Sequence, residues 1–246
     1  MKVVNKMKKQ SKGFTHVELL VVIGILGILM GVLIPQITGS LFKANLSAMS
    51  FNGAKLVKAI IAESVSNANG EDFWAHRTEA DGKSDDTDRI NGMSFSTSTD
   101  YFTKLFDIDN QTSSDWQPFI DKELVSTLWG FGVPPAKPGS LKAANVGWTV
   151  VCGMPNDADG TIPVLVSRNV DTSNFAKSGT TNMGEQKTVP SLDKYPQPFG
   201  KKGCVIVYKS GNAKGLQSRD ARLCDIYREQ PNVTFAEGIT LEYLVP

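Results

Sequence analysis

Residues 13–35, GFTHVELLVVIGILGILMGVLIP, decide how this chain is read. From Phe14 to Ile34 the one acidic side chain is Glu18 and there is no lysine or arginine. As an α-helix this stretch would extend about 30 Å, enough to cross the hydrocarbon core of a bilayer once. Before it come Lys2, Lys6, Lys8, Lys9 and Lys12 with no acid among them. That bias keeps the N-terminus cytoplasmic and sends the C-terminal part across. A secretory signal has a shorter apolar core, about 7 to 15 residues, followed by small residues at a cleavage site. Pro35-Gln36-Ile37-Thr38 offers no such pattern, so the apolar helix is expected to be kept. A carboxylate inside such a helix costs about 2.5 to 3.5 kcal/mol on insertion scales, which implies a partner and a function for Glu18.

Gly13, Phe14, Thr15 and Glu18, followed by LLVVIGILGIL, resemble the class III signal of type IV pilins and type II secretion pseudopilins. The resemblance implies that a membrane prepilin peptidase cuts between Gly13 and Phe14 and methylates the new amine of Phe14. Glu18 then becomes the fifth mature residue, and Pro35 the twenty-second, where such proteins carry a helix-kinking proline. His16 departs from the pattern, which has an aliphatic residue there. The family's assembly scheme pairs Glu18 of one subunit with the Phe14 amine of a neighbour. Residues 14 and 18 are also i,i+4, so the pair can form within one subunit first. The implied partners are other copies of the chain, other pilins or pseudopilins, the prepilin peptidase, an inner-membrane assembly platform and, before assembly, lipid. The implied location is the bacterial inner membrane, single-pass with a periplasmic head, and then a periplasmic or extracellular fibre. A type IV pilus and a type II secretion pseudopilus both remain open, as do major and minor subunits. Glu18 argues against the tip-initiating pseudopilin, which commonly lacks this acid.

Beyond Pro35 the apolar residues Phe42, Leu46, Met49, Leu56 and Ile60 recur at helical spacing, with Gly53 in the intervening position. One helix is therefore expected from Phe14 to about Ser66, where Ser66-Asn67-Ala68-Asn69-Gly70 supplies a stop. Gly24, Gly27 and Gly31 give it a small-residue face, a pattern that ordinary membrane-helix composition also produces. The expected division is 1–13 leader, 14–35 membrane and assembly helix, and 36–246 head, including the second half of the long helix.

In the head, residues 99–108 predict a short helix capped by Thr99. Ser114-Asp115-Trp116-Gln117 predicts a second helix reaching Leu128. Residues 129–140, with Pro134, Pro135 and Pro138, predict a loop. Residues 146–152, 162–167, 204–209 and 239–245 are rich in β-branched and aromatic side chains and predict strands. The fold class expected is α+β, a long N-terminal helix packed on an antiparallel sheet, which also agrees with the resemblance.

Of 26 Lys and Arg side chains, the leader holds five, which leaves 21 against 25 Asp and Glu in the mature chain. Such a balance does not suit nucleic acid; Lys201-Lys202 and Arg219 with Arg222 are only modest pairs. Residues 71–88 carry seven acids against Arg77 and Lys83, and oxygen ligands at that density could hold calcium or simply be solvated. Asp157 and Asp159, in NDADG, are the other candidate calcium ligands. An EF-hand register there puts Pro155 first and Val166 twelfth, so Asp-Gly before a strand fits a turn better. The resemblance allows calcium near the C-terminal sheet without carrying a ligand set onto these residues. It also favours a Cys204–Cys224 disulfide, closing a loop of about 20 residues worth about 3 kcal/mol. Three reduced, buried cysteines remain the alternative, since Cys152 and Cys204 lie in apolar runs. His16 and His76 are the only histidines, and no nucleophile elbow, zinc-protease, P-loop or paired C-x-x-C motif occurs. A structural subunit is therefore expected rather than an enzyme. A membrane-anchored binding protein is the competing class, and it leaves the register of glycine, glutamate and proline unexplained.

Overall fold

The computed structural model describes residues 13–66, 73–75, 95–154, 158–184, 187–189, 191–227, 232–234 and 240–246. The chain divides into two units, Met1–Ala44 and Asn45–Pro246. The acidic residues of 71–88, His76 and the leader lysines lie outside the described residues.

In the first unit, helix α1 (His16–Ser66) begins three residues past Gly13 and continues through Pro35. Every residue from 13 to 41 is exposed. Pro35 has no N–H to give the preceding turn. Nearby hydroxyls bond to helix carbonyls, Thr38 Oγ1 donating to Pro35 O at 2.9 Å and Ser40 Oγ to Gln36 O at 3.0 Å. Cβ atoms at Gly24, Gly27 and Gly31 would meet nothing within 4 Å.

Burial on α1 begins in the second unit, with Leu46, Met49, Gly53, Leu56, Val57 and Ile60. Their spacing of three and four makes one stripe, as the sequence predicts, though Phe42, expected at its start, is only half-buried, and Val57 widens it. The stripe packs on a sheet. A Cβ on Gly53 would fall 2.6 Å from Val207 Cγ2 and 2.7 Å from Trp148 Cη2, so only glycine lets the backbone come this close.

Helix α2 (Ser98–Leu105) follows, with Tyr101, Phe102 and Leu105 buried. Its cap is Thr97 rather than Thr99. Thr97 Oγ1 accepts from Asp100 N at 3.1 Å while Asp100 Oδ2 accepts from Thr97 N at 3.2 Å, a reciprocal pair that needs an acid three residues on. The helix expected from Ser114 to Leu128 is not formed; a 3-10 stretch, Lys122–Leu128, capped by Asp121, replaces its second half. Pro118 disfavours helical backbone at Gln117. The amides a first turn would use are taken elsewhere: Asp115 N by Ser113 Oγ at 3.1 Å, Gln117 N by Asp107 Oδ2 at 3.2 Å and Phe119 N by Leu105 O at 3.0 Å.

The strands are β1 (Trp148–Cys152), β2 (Pro163–Ser167), β3 (Thr180–Asn182), β4 (Gly203–Tyr208) and β5 (Ala213–Gln217), then α3 (Leu223–Ile226), β6 (Asn232–Thr234) and β7 (Glu242–Leu244). Five of them form a sheet in the order β5-β4-β2-β1-β7, every pair antiparallel, and β3 pairs separately with β6. Strands β1 and β2 are buried at every position, which explains their largely apolar sequences, with Thr149 and Ser167 as buried polar exceptions. The expected strand at 239–245 is trimmed to β7, with Ile239 outside the described residues. β5 escapes sequence reading because AKGLQ holds only one large apolar side chain, Leu216. As an edge strand it buries only Leu216, and Gly215 lies beneath α1, where a Cβ would be 3.2 Å from Leu46 Cβ.

Candidate processing and assembly site

The N-terminal end of α1 is organised by a threonine and a glutamate three residues apart. Thr15 N and Thr15 Oγ1 each donate to Glu18 Oε2 at 2.8 Å, and Glu18 N donates back to Thr15 Oγ1 at 3.2 Å. This is a capping box, which satisfies amides that the first helical turn leaves open. The T-x-x-E signature at 15–18 is visible in the sequence, yet the expectation of a partner for Glu18 looked only to the Phe14 amine. Gly13 and Phe14 precede the helix and are exposed, Phe14 at 76%. A Cβ on Gly13 would meet nothing within 4 Å, so the fold itself has no need of glycine there. His16 is the first helical residue and is exposed.

Residues 8–34 match the family model for the prokaryotic N-terminal methylation motif. The N-terminus is a prepilin-type signal. The motif supports a processed subunit of the pilin or pseudopilin kind. α1 is long and apolar enough to cross a membrane, and none of its most apolar window is buried. A search of curated proteins and one of solved structures return no match.

The other site residues expected from the sequence lie in the head. Asp157 is outside the described residues. Asp159 Oδ1 accepts from Thr161 N at 2.7 Å and Thr161 Oγ1 at 2.6 Å, which makes it the hinge of an Asx turn leading into β2. Among the described residues no three His, Cys, Asp or Glu side chains gather closely enough to hold a metal ion. The Cys204–Cys224 bridge is not present. Cys204 is buried on β4, whereas Cys224 sits half-buried on α3, and Cys152 is buried on β1. Burial pushes the Cys204 thiol up to about 12. The modest basic pairs have acidic neighbours, Arg222 Nε lying 2.8 Å from Asp225 Oδ2 and Arg219 Nε 3.5 Å from Asp220 Oδ2.

A buried residue missed by sequence reading is Arg168, just after β2 and 3% exposed. Its Nη1 donates to the carbonyls of Ala143, Ala144 and Val146 and its Nε to Gln197 O, all at 3.0–3.2 Å. The guanidinium ties the loop before β1 to the turn before β4. Its charge rests on carbonyl dipoles, a role that no local pattern in the sequence announces.

Proposed function

We propose that the chain is a non-enzymatic structural subunit, cut by a prepilin peptidase between Gly13 and Phe14 and methylated on the Phe14 amine. It then polymerises into a type IV pilus or a type II secretion pseudopilus. Before assembly the segment 14–35 anchors it in the bacterial inner membrane, with the N-terminus cytoplasmic and the head periplasmic. The carrying observation is the motif match at residues 8–34, in a register that places glycine, glutamate and proline at 13, 18 and 35. Two features of the structure support it. Gly13 answers no steric need of the fold, which suits a residue selected by an external enzyme. The bare side chains of 14–41 suit a helix covered first by lipid and later by other subunits. In the assembled state, Glu18 of one subunit pairs with the Phe14 amine of its neighbour.

Expression beside a prepilin peptidase tests this. The wild-type chain is expected to lose residues 1–13 and gain one methyl group by intact mass. Gly13→Val should persist at precursor mass while still reaching the membrane fraction. Cleavage of that variant at the wild-type rate, or a wild-type N-terminus elsewhere than Phe14, contradicts the proposal.

A further inference from the structure

Between the segment after β2 and the start of β4 lies a cleft of about 350 Å3, a volume within the roughly 300 to 1,000 Å3 range of small-molecule sites. Its lining sorts by depth. Val170, Val189 and Ala221 are buried and give it an aliphatic floor. Thr188 and Ser218 are exposed and Ser191 is half-buried, so hydroxyls stand around that floor, nearer to solvent. Thr188 Oγ1 and Ser218 Oγ have no hydrogen-bond partner among the described residues. Ser191 Oγ donates to Gly200 O at 3.3 Å, which leaves its lone pairs open to a donor.

Asp193 and Lys201 complete the rim. Their side chains are 93% and 84% exposed, and Oδ1 and Nζ lie 4.0 Å apart. That gap is longer than a direct hydrogen bond, so both groups keep capacity for a ligand. The carboxylate only accepts and the ammonium only donates. Adjacent hydroxyls of a polyol answer both, because each hydroxyl carries a hydrogen to give and lone pairs to receive one. An anion would meet Lys201 and Asp193 together, as would a cation, so the paired rim selects for neither charge. Among the described residues no aromatic side chain lines the cleft, which leaves a flat aromatic ligand nothing to stack on. What fits is a neutral ring with C–H groups on its face and hydroxyls around its edge.

We propose that this cleft binds a neutral sugar ring, a hexopyranoside. Its C–H face lies on Val170, Val189 and Ala221, its hydroxyls reach Thr188, Ser191 and Ser218, and two adjacent ones bridge Asp193 and Lys201. A free sugar and one residue of a glycan chain share this chemistry. The full chain in lipid nanodiscs, with labelled valine methyls, is titrated with the methyl glycosides of glucose, galactose, mannose and N-acetylglucosamine, and with tetrahydropyran, the same ring without hydroxyls. At least one glycoside should give saturable shifts confined to Val170, Val189 and their surroundings, and tetrahydropyran should give none. Asp193→Asn combined with Lys201→Met, both at exposed positions, should weaken that glycoside by about tenfold or more, the scale of lost charge-assisted hydrogen bonds, with the remaining methyl spectrum in place. A soluble oligosaccharide of the same sugar separates the two sources: binding at least as tight as the glycoside assigns a glycan chain, and exclusion assigns a free sugar. Absence of saturable shifts with every glycoside, equal binding of tetrahydropyran, or unchanged affinity in the double variant overturns the proposal whether or not the chain forms fibres.

Discussion

Glu18 serves the helix before it can serve a neighbour. In the uncut chain its carboxylate closes the first turn against Thr15. Cleavage after Gly13 would place a cationic amine on Phe14, one turn away, where the same carboxylate can reach it. Glu18→Ala is expected to be inserted and cut but to give few fibres, because an unpartnered buried charge costs about 3 to 5 kcal/mol. Sheared surface fractions from variant and wild-type cells measure this, and equal fibre yield refutes it. Gly13, Glu18 and Pro35 stand out in the sequence because their positions are all counted from a single bond. Thr15 carried an equally plain signature and was passed over, since a capping box is not usually sought inside a membrane segment. The cysteines were less legible, because spacing along the chain says nothing about which side of a sheet a thiol faces. Burial raises Cys204 to about 12 and also lifts Tyr227 and Tyr243 above the ordinary tyrosine value. Each group thus holds its proton more tightly folded than unfolded. The stability this provides is complete below about pH 8.5, the unfolded thiol value, and is lost as pH rises towards 12. Thermal unfolding should show a midpoint that falls between pH 9 and 11, and a midpoint flat over that window contradicts the assignment.

At the scale of the element, the long helix was readable because its apolar pattern is long, and the three central strands because β-branched and aromatic side chains dominate them. β5 was not, since one buried leucine and a glycine under a helix leave almost no pattern. The helix proposed for 114–128 failed for a different reason: a plausible cap was outbid by Pro118 and by side chains from the preceding turn that captured its amides. Gly53 was legible as a gap in the stripe, though not as the point where α1 meets Trp148 and Val207. Gly53→Ala gains helix propensity worth about 1 kcal/mol. It also forces a methyl into space already filled, at about 1 to 3 kcal/mol. Overpacking should prevail and lower the midpoint of thermal unfolding by a few degrees, and a raised midpoint would show that the strands can give way.

At the scale of the whole molecule, the two units draw on different environments. Among the described residues, buried side chains begin at Leu46, and residues 13–41 are all exposed. A fragment starting at Gln36 is therefore expected to be soluble without detergent and to unfold cooperatively within a few degrees of the full chain; calorimetry of both forms decides. The head's chemistry was the least legible, because the Arg168 tie assembles residues from distant segments. Trp148 is fully buried, with Nε1 on Thr127 O at 2.8 Å and its ring edge against the notch at Gly53. An indole so placed emits at short wavelength while dry. Separation of the helix from the sheet would wet it at once, so Trp148 would act as an optical gauge of that seam.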